Sequence, residues 1–291
     1  MSTAKKVGYF FIALIPGVVF IVIQTIVVIV GYIAIIMSSI DNVMNSYSDL
    51  MSPQFILDFM NSVLEYMTEM NVAYQVVAII TFGIWYFVAF GRKEKREPVY
   101  EKPTVLKIII ILLMAVFVQF GVSNMLNIVE ALFPSLFETY DQLMNLIGVQ
   151  EPTILTLLSV AILAPIVEEL CFRGLTLRLF KKATDKFWIV NILQALLFGI
   201  IHMNLVQGSY AFVIGLILGY LYEKYHSVFI CMLFHFGING SAFLVDIFMG
   251  KIPDNMIEVA VISLAAGATI LVAVCLVVLG KIKRPDVGRI Q

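Results

Sequence analysis

The sequence predicts an all-α polytopic membrane protein, about eight transmembrane helices bundled around an intramembrane polar chamber, on three observations. First, 61% of the 291 residues are hydrophobic and only 13% charged, with mean hydropathy +0.98, too little polar surface for a soluble domain of this size. Second, the apolar runs match the ~20 residues a helix needs to cross hydrocarbon, so helices are favoured over a barrel. Third, Lys and Arg alternate from loop to loop as the positive-inside rule requires.

The elements follow in order. Lys5 and Lys6 precede about thirty apolar residues, too long for a signal peptide and without a small-residue cleavage site, so residues 8–37 form an uncleaved first span. An acidic external loop, Ser38 to Asn71, follows. Within it Ser52-Pro53 starts a short helix with an apolar stripe of Phe55, Phe59, Val63 and Met67, for which packing onto the bundle or lipid is favoured over guiding a substrate. The second span is 72–90, and the charged run Gly91 to Lys107, with Pro98 and Pro103, is a cytoplasmic linker to the third, 104–129. Further spans are expected at 153–180, 187–203, 207–224, 227–248 and 257–280.

One set of segments carries Lys5 and Lys6, Arg92 to Lys107, Arg178 to Lys186, Lys224 and Lys281 to Arg289; the other has only Lys251 among many acids. Both termini are therefore expected in the cytoplasm. Three regions result: 1–150, the N-terminal spans with their external loop and cytoplasmic linker; 151–248, the core; and 249–291, the last span and cytoplasmic tail. Net charge of -1 gives no reason to expect nucleic acid. Cys171, Cys231 and Cys275 lie in apolar segments without CxxC spacing, as small core hydrophobes do.

Against this background the fourth span is unusual, because Glu168 and Glu169 stand side by side within it, with Arg173 four residues beyond the second. An acid at a membrane helix centre costs roughly 2.5–3.5 kcal/mol on insertion scales. Glu169 and Arg173 share a helix face and can neutralise each other, while Glu168 points about 100° away. Phe198 and His202 repeat the four-residue spacing on the fifth span, and His235 and Asn239 on the seventh. Counting ~1.5 Å per residue from the cytoplasmic ends puts Glu168, His202 and His235 at a common depth of roughly 15–25 Å. Pro165 is expected to kink the helix beside Glu168 or to be an ordinary membrane-helix proline. His226, beside Tyr225 and Ser227 at a boundary, is read as a packing partner. On these grounds both proton-coupled transport and water-activating hydrolysis are open, since both use intramembrane Glu and His.

The strings from Ala164 to Gly174, Asn191 to His202 and Leu233 to Asn239 together resemble the CAAX protease and bacteriocin-processing (CPBP, or Abi) family of intramembrane proteases. Its motifs occur in order: EExxxR as Glu168, Glu169 and Arg173, FxxxH as Phe198 and His202, HxxxN as His235 and Asn239. The resemblance covers about residues 150 to 245 and makes 151–248 the catalytic core. It implies a helical bundle around a wet chamber and hydrolysis of a peptide bond by an intramembrane endopeptidase. Glu168 would activate water with His202 assisting, His235 and Asn239 would bind the water or the oxyanion, and Glu169, Arg173 and Phe198 would support them. A metal-free site is favoured; zinc on Glu168, His202 and His235 is the other version, although HExxH is absent. The implied partners are a membrane-associated peptide or protein and the lipid bilayer, in a bacterial cytoplasmic membrane. The competing function is a non-catalytic immunity or scaffold protein; a transporter is disfavoured because no internal repeat is visible.

Overall fold

The computed structural model describes residues 2–43, 53–91, 103–146 and 153–249, with Gly267, Thr269, Val272 and Gly280. Among these residues there is no strand. In chain order the helices are α1 (Thr3–Ile12), α2 (Ile15–Val43), α3 (Pro53–Glu65), α4 (Met67–Tyr86), α5 (Val105–Leu132), α6 (Pro134–Leu146), α7 (Ile154–Leu157), α8 (Ala164–Glu169), α9 (Leu177–Ala183), α10 (Phe187–Ile200), α11 (Leu205–Tyr225) and α12 (Val228–Met249).

Five stretches are long and apolar enough to cross a membrane, Thr3–Ser38, Met67–Gly91, Val105–Leu132, Ile154–Ala183 and Leu205–Tyr225, and Phe187–Ile200 and Val228–Phe243 are shorter apolar helices. Seven of the eight expected spans thus have a counterpart; most of 257–280 lies outside the described residues, as do most of the charged linker, the tail and part of the acidic loop. Outward faces are apolar, as in Val18, Ile26 and Ile33 of α2, which suits lipid as solvent.

The first span is not one helix: it breaks at Ala13-Leu14, just before Pro16, which has no N–H to continue the ladder. Of the apolar stripe, Phe59 on α3 lies edge-on to Tyr32 of α2. Helix α10 pairs with α11, α5 with α12, α2 with α4, and α1 with α9. The α10–α11 contact is backbone-close: a Cβ on Gly199 would stand 2.6 Å from the Gly208 carbonyl oxygen, and one on Gly208 2.9 Å from that of Gly199. Small residues at a crossing permit this approach in a membrane, where association rests on packing rather than on the hydrophobic effect.

The fourth span departs most from a regular helix. Two π-helical stretches, Leu158–Leu163 and Leu170–Thr176, flank α8, and such widened turns recur at functional sites. The expected kink at Pro165 is therefore a change of register. Ala164 N–H bonds the Ser159 carbonyl, five residues back. Pro165 has no N–H to continue that pattern to Val160, and Asn239 Nδ2 on α12 donates to the Val160 carbonyl instead, at 2.9 Å.

Candidate active site

Adjacent positions on α8 send Glu168 and Glu169 to different surroundings. Glu169 is fully buried, and its Oε1 accepts from Arg173 Nη1 at 2.9 Å, the ion pair the spacing predicts. Arg173 is held further by donating Nη2 to the Gly215 carbonyl at 3.1 Å and by lying 4.6 Å above the Phe198 ring. That carbonyl also accepts from Gln194 Nε2 at 2.9 Å. Desolvating an ion pair is tolerable only with such supplementary partners.

His235 joins the two acids. Its Nδ1 lies 2.9 Å from Glu169 Oε1, and because that oxygen already accepts from Arg173, Nδ1 carries the proton and donates. Nε2 then faces Glu168, 3.6 Å from Oε2. The sequence reading left Glu168 without a partner; packing of α12 on α8 puts an imidazole beside it.

Glu168 projects into a cavity of about 600 Å³ that is also lined by Phe198, His202, His235 and Asn239. The sequence-selected residues therefore meet at one chamber, apart from the buried pair Glu169 and Arg173, which sits behind its wall. Contrary to the sequence reading, His202 is not on the fifth span's helix. Helix α10 ends at Ile200, Ile201 and His202 form a turn, and Met203 after it takes φ 52°, a left-handed conformation rare for non-glycine residues. Asn204 caps the next helix, its side chain accepting from Gln207 N–H at 3.0 Å. The four-residue spacing still matters, because His202 Nδ1 donates to the Phe198 carbonyl at 2.8 Å. A carbonyl can only accept, so Nε2 is the ring atom left for the chamber.

Phe198 is the floor on which the site stands. It meets His202 edge-on at 5.2 Å and His235 at 5.8 Å between ring centroids, with Arg173 over its face. His226, by contrast, closes the far end of α11 in a left-handed conformation, its N–H bonding the Tyr222 carbonyl. Cys171 and Cys231 are buried and free; Cys275 lies outside the described residues.

Nearly half of the chamber lining comes from regions without a motif. Gln24 of α2, Asn71 and Gln75 of α4, and Gln119, Ser123, Asn127 and Glu130 of α5 line it. Sequence reasoning missed these residues. The signal was there, since steps of four, four and three along α5 put four polar side chains on one face of an otherwise apolar span.

As for a metal, both Nδ1 atoms are committed to protein acceptors, and among the described residues no group of three His, Cys, Asp or Glu side chains is arranged to hold an ion.

Fold and chamber together define the class: a polytopic helical membrane protein with carboxylates and imidazoles gathered within its spans. Residues 150–241, about a third of the chain, match the model of the family described as Type II CAAX prenyl endopeptidase Rce1-like, the family the three motifs resemble. Over that segment the chain is CAAX-protease-like. Comparison with curated proteins and with solved structures returned no match.

Proposed function

We propose that the protein is an intramembrane endopeptidase in which Glu168 activates water against a peptide bond of a membrane-associated substrate. The observation that carries this reading is the chain Arg173–Glu169–His235–Glu168, in which a buried guanidinium holds one acid, that acid orients an imidazole, and the imidazole stands beside an acid at the chamber.

Glu168 removes a proton from a water lying against the substrate carbonyl, and the hydroxide adds to the carbonyl carbon. His202 Nε2, when neutral, accepts a hydrogen bond from that water and helps orient it. The second N–H of Asn239 Nδ2, beyond the one given to Val160, is a donor for the developing alkoxide. While Glu168 carries the proton, His235 Nε2 is the neighbouring acceptor that keeps it in place. Glu168 then gives the proton to the nitrogen as the C–N bond breaks, leaving a carboxyl and an amine product. A positioned base contributes ~10²- to 10⁴-fold and an oxyanion donor ~10²- to 10³-fold. These steps need no metal.

The test is Glu168→Gln, scored by peptide profiling of membranes carrying either protein. Cleavage products should vanish with the substitution while protein abundance stays constant. Products that persist would end the hydrolytic reading and favour a binding role in immunity or scaffolding.

A further inference from the structure

Resting on the peptidase reading, we propose that the chamber binds its substrate as an extended, neutral or basic internal peptide segment along the polar stripe of α5, and admits it at the end of the bundle marked by Glu130.

The stripe has length and direction. From Gln119 to Glu130 it runs about 17 Å at the helical rise of ~1.5 Å per residue, room for about five residues of extended chain at ~3.3 Å each. Gln119 and Ser123 are half-buried, whereas Asn127 and Glu130 are exposed, so the stripe climbs from the depth of the chamber to its mouth. Asn71 and Gln75, one helical turn apart on α4, also line the chamber. The mouth lies where α4 and α11 begin and α5 ends. Arg178, Lys181 and Lys182 of α9 and Lys224 at the end of α11 line no part of it.

The chemistry of the walls selects the ligand. Polar side chains in a membrane span are costly unless something answers them. Gln119 Nε2 donates to Ser123 at 3.1 Å and Ser159 donates to Gln75 Oε1 at 3.0 Å, which engages the nitrogen of the first amide and the oxygen of the second. Asn71 and Asn127 have no side-chain partner among the described residues. An amide offers a donor and an acceptor together, the pairing a peptide backbone needs. Among the described residues the lining contains the acids Glu130 and Glu168 and neither Lys nor Arg. A substrate's terminal carboxylate would meet no fixed cation there, whereas lysines flanking the segment would meet Glu130.

The experiment uses the full chain in sealed vesicles, with Asn127→Cys as reporter, a membrane-impermeant maleimide as probe and the parent protein as background. Lys186→Cys marks the opposite end. Ten-residue peptides with an apolar centre, flanked by lysines or by glutamates, serve as ligands. Asn127→Cys should label from the side on which Lys186→Cys is shielded, and the lysine-flanked peptide should slow labelling at least fivefold while the glutamate-flanked one does not. Adding Gln119→Leu should weaken that protection about fivefold, the value of one hydrogen bond. Labelling of both cysteines from one side, protection by neither peptide, or equal protection by both overturns the proposal. Glu130→Cys replaces the reporter if Asn127→Cys does not fold. Glu168→Gln should keep the protection and lose cleavage; cleavage retained there sinks the peptidase reading and leaves the labelling result standing.

Discussion

His235 donates through Nδ1 to Glu169 Oε1 at 2.9 Å, and this one bond decides which edge of the imidazole meets the chamber. Arg173 already occupies the same oxygen, so Glu169 is the acid that orients the imidazole, and Glu168, at the chamber, is the acid we propose as the base. Two neighbours in sequence are thereby divided between a buried ion pair and the chamber wall.

That division predicts opposite stabilities. Glu169→Gln leaves the buried Arg173 guanidinium without its carboxylate, and removing one partner of a buried pair costs about 3–5 kcal/mol. Glu168→Gln faces the chamber and should cost under about 1 kcal/mol. Denaturation of the two variants in one detergent checks this, and equal destabilisation would contradict the assignment.

Asn239 has a structural partner that Pro165 created. Asn239→Ala should destabilise by about 1 kcal/mol, because it leaves the half-buried Val160 carbonyl without its donor. Pro165→Ala returns an N–H able to reach that carbonyl, so the loss should shrink in the double variant. A double-mutant cycle on unfolding free energy measures the coupling; simple additivity would mean that the proline does not orphan Val160.

The glycine crossing near His202 admits no methyl group without movement. Gly199→Ala puts a carbon against the Gly208 backbone, and overpacking of this kind costs about 1–3 kcal/mol. Because His202 follows three residues later, cleavage should fall more than abundance does. Lipid-facing Val213→Ala, half-exposed at 50%, is the control, and an equal effect there would remove the argument from packing.

A reaction run by Glu168 without a metal predicts indifference to chelation. Purified protein should retain cleavage after prolonged chelator treatment and contain zinc far below one per chain. Stoichiometric zinc whose removal abolishes cleavage would replace this chemistry with a metal-activated water.

Much of the fold was readable because bilayer thickness forces length and composition on each span. The starts of Ile154–Ala183, Phe187–Ile200, Leu205–Tyr225 and Val228–Met249 fall within two residues of expectation. What escaped was irregular: the break before Pro16, the π-helical turns around α8, and the early end of α10 that takes His202 off its helix. The polar wall of α5 escaped for another reason. Its mean apolarity marks a span, and the face carrying Gln119, Ser123 and Asn127 emerges only when positions are taken in steps of four.

Sequence by itself determined what local helical geometry determines: a membrane bundle, Glu169 and Arg173 on one face, Glu168 on another, and His202 four residues beyond Phe198. Tertiary structure alone decided that His235 stands between the two acids, that Asn239 answers the Val160 carbonyl, and that α4 and α5 wall the chamber. Those outcomes depend on the rotation and register of helices dozens of residues apart, set by close packing across α10–α11 and α5–α12, and no spacing within a single helix encodes them.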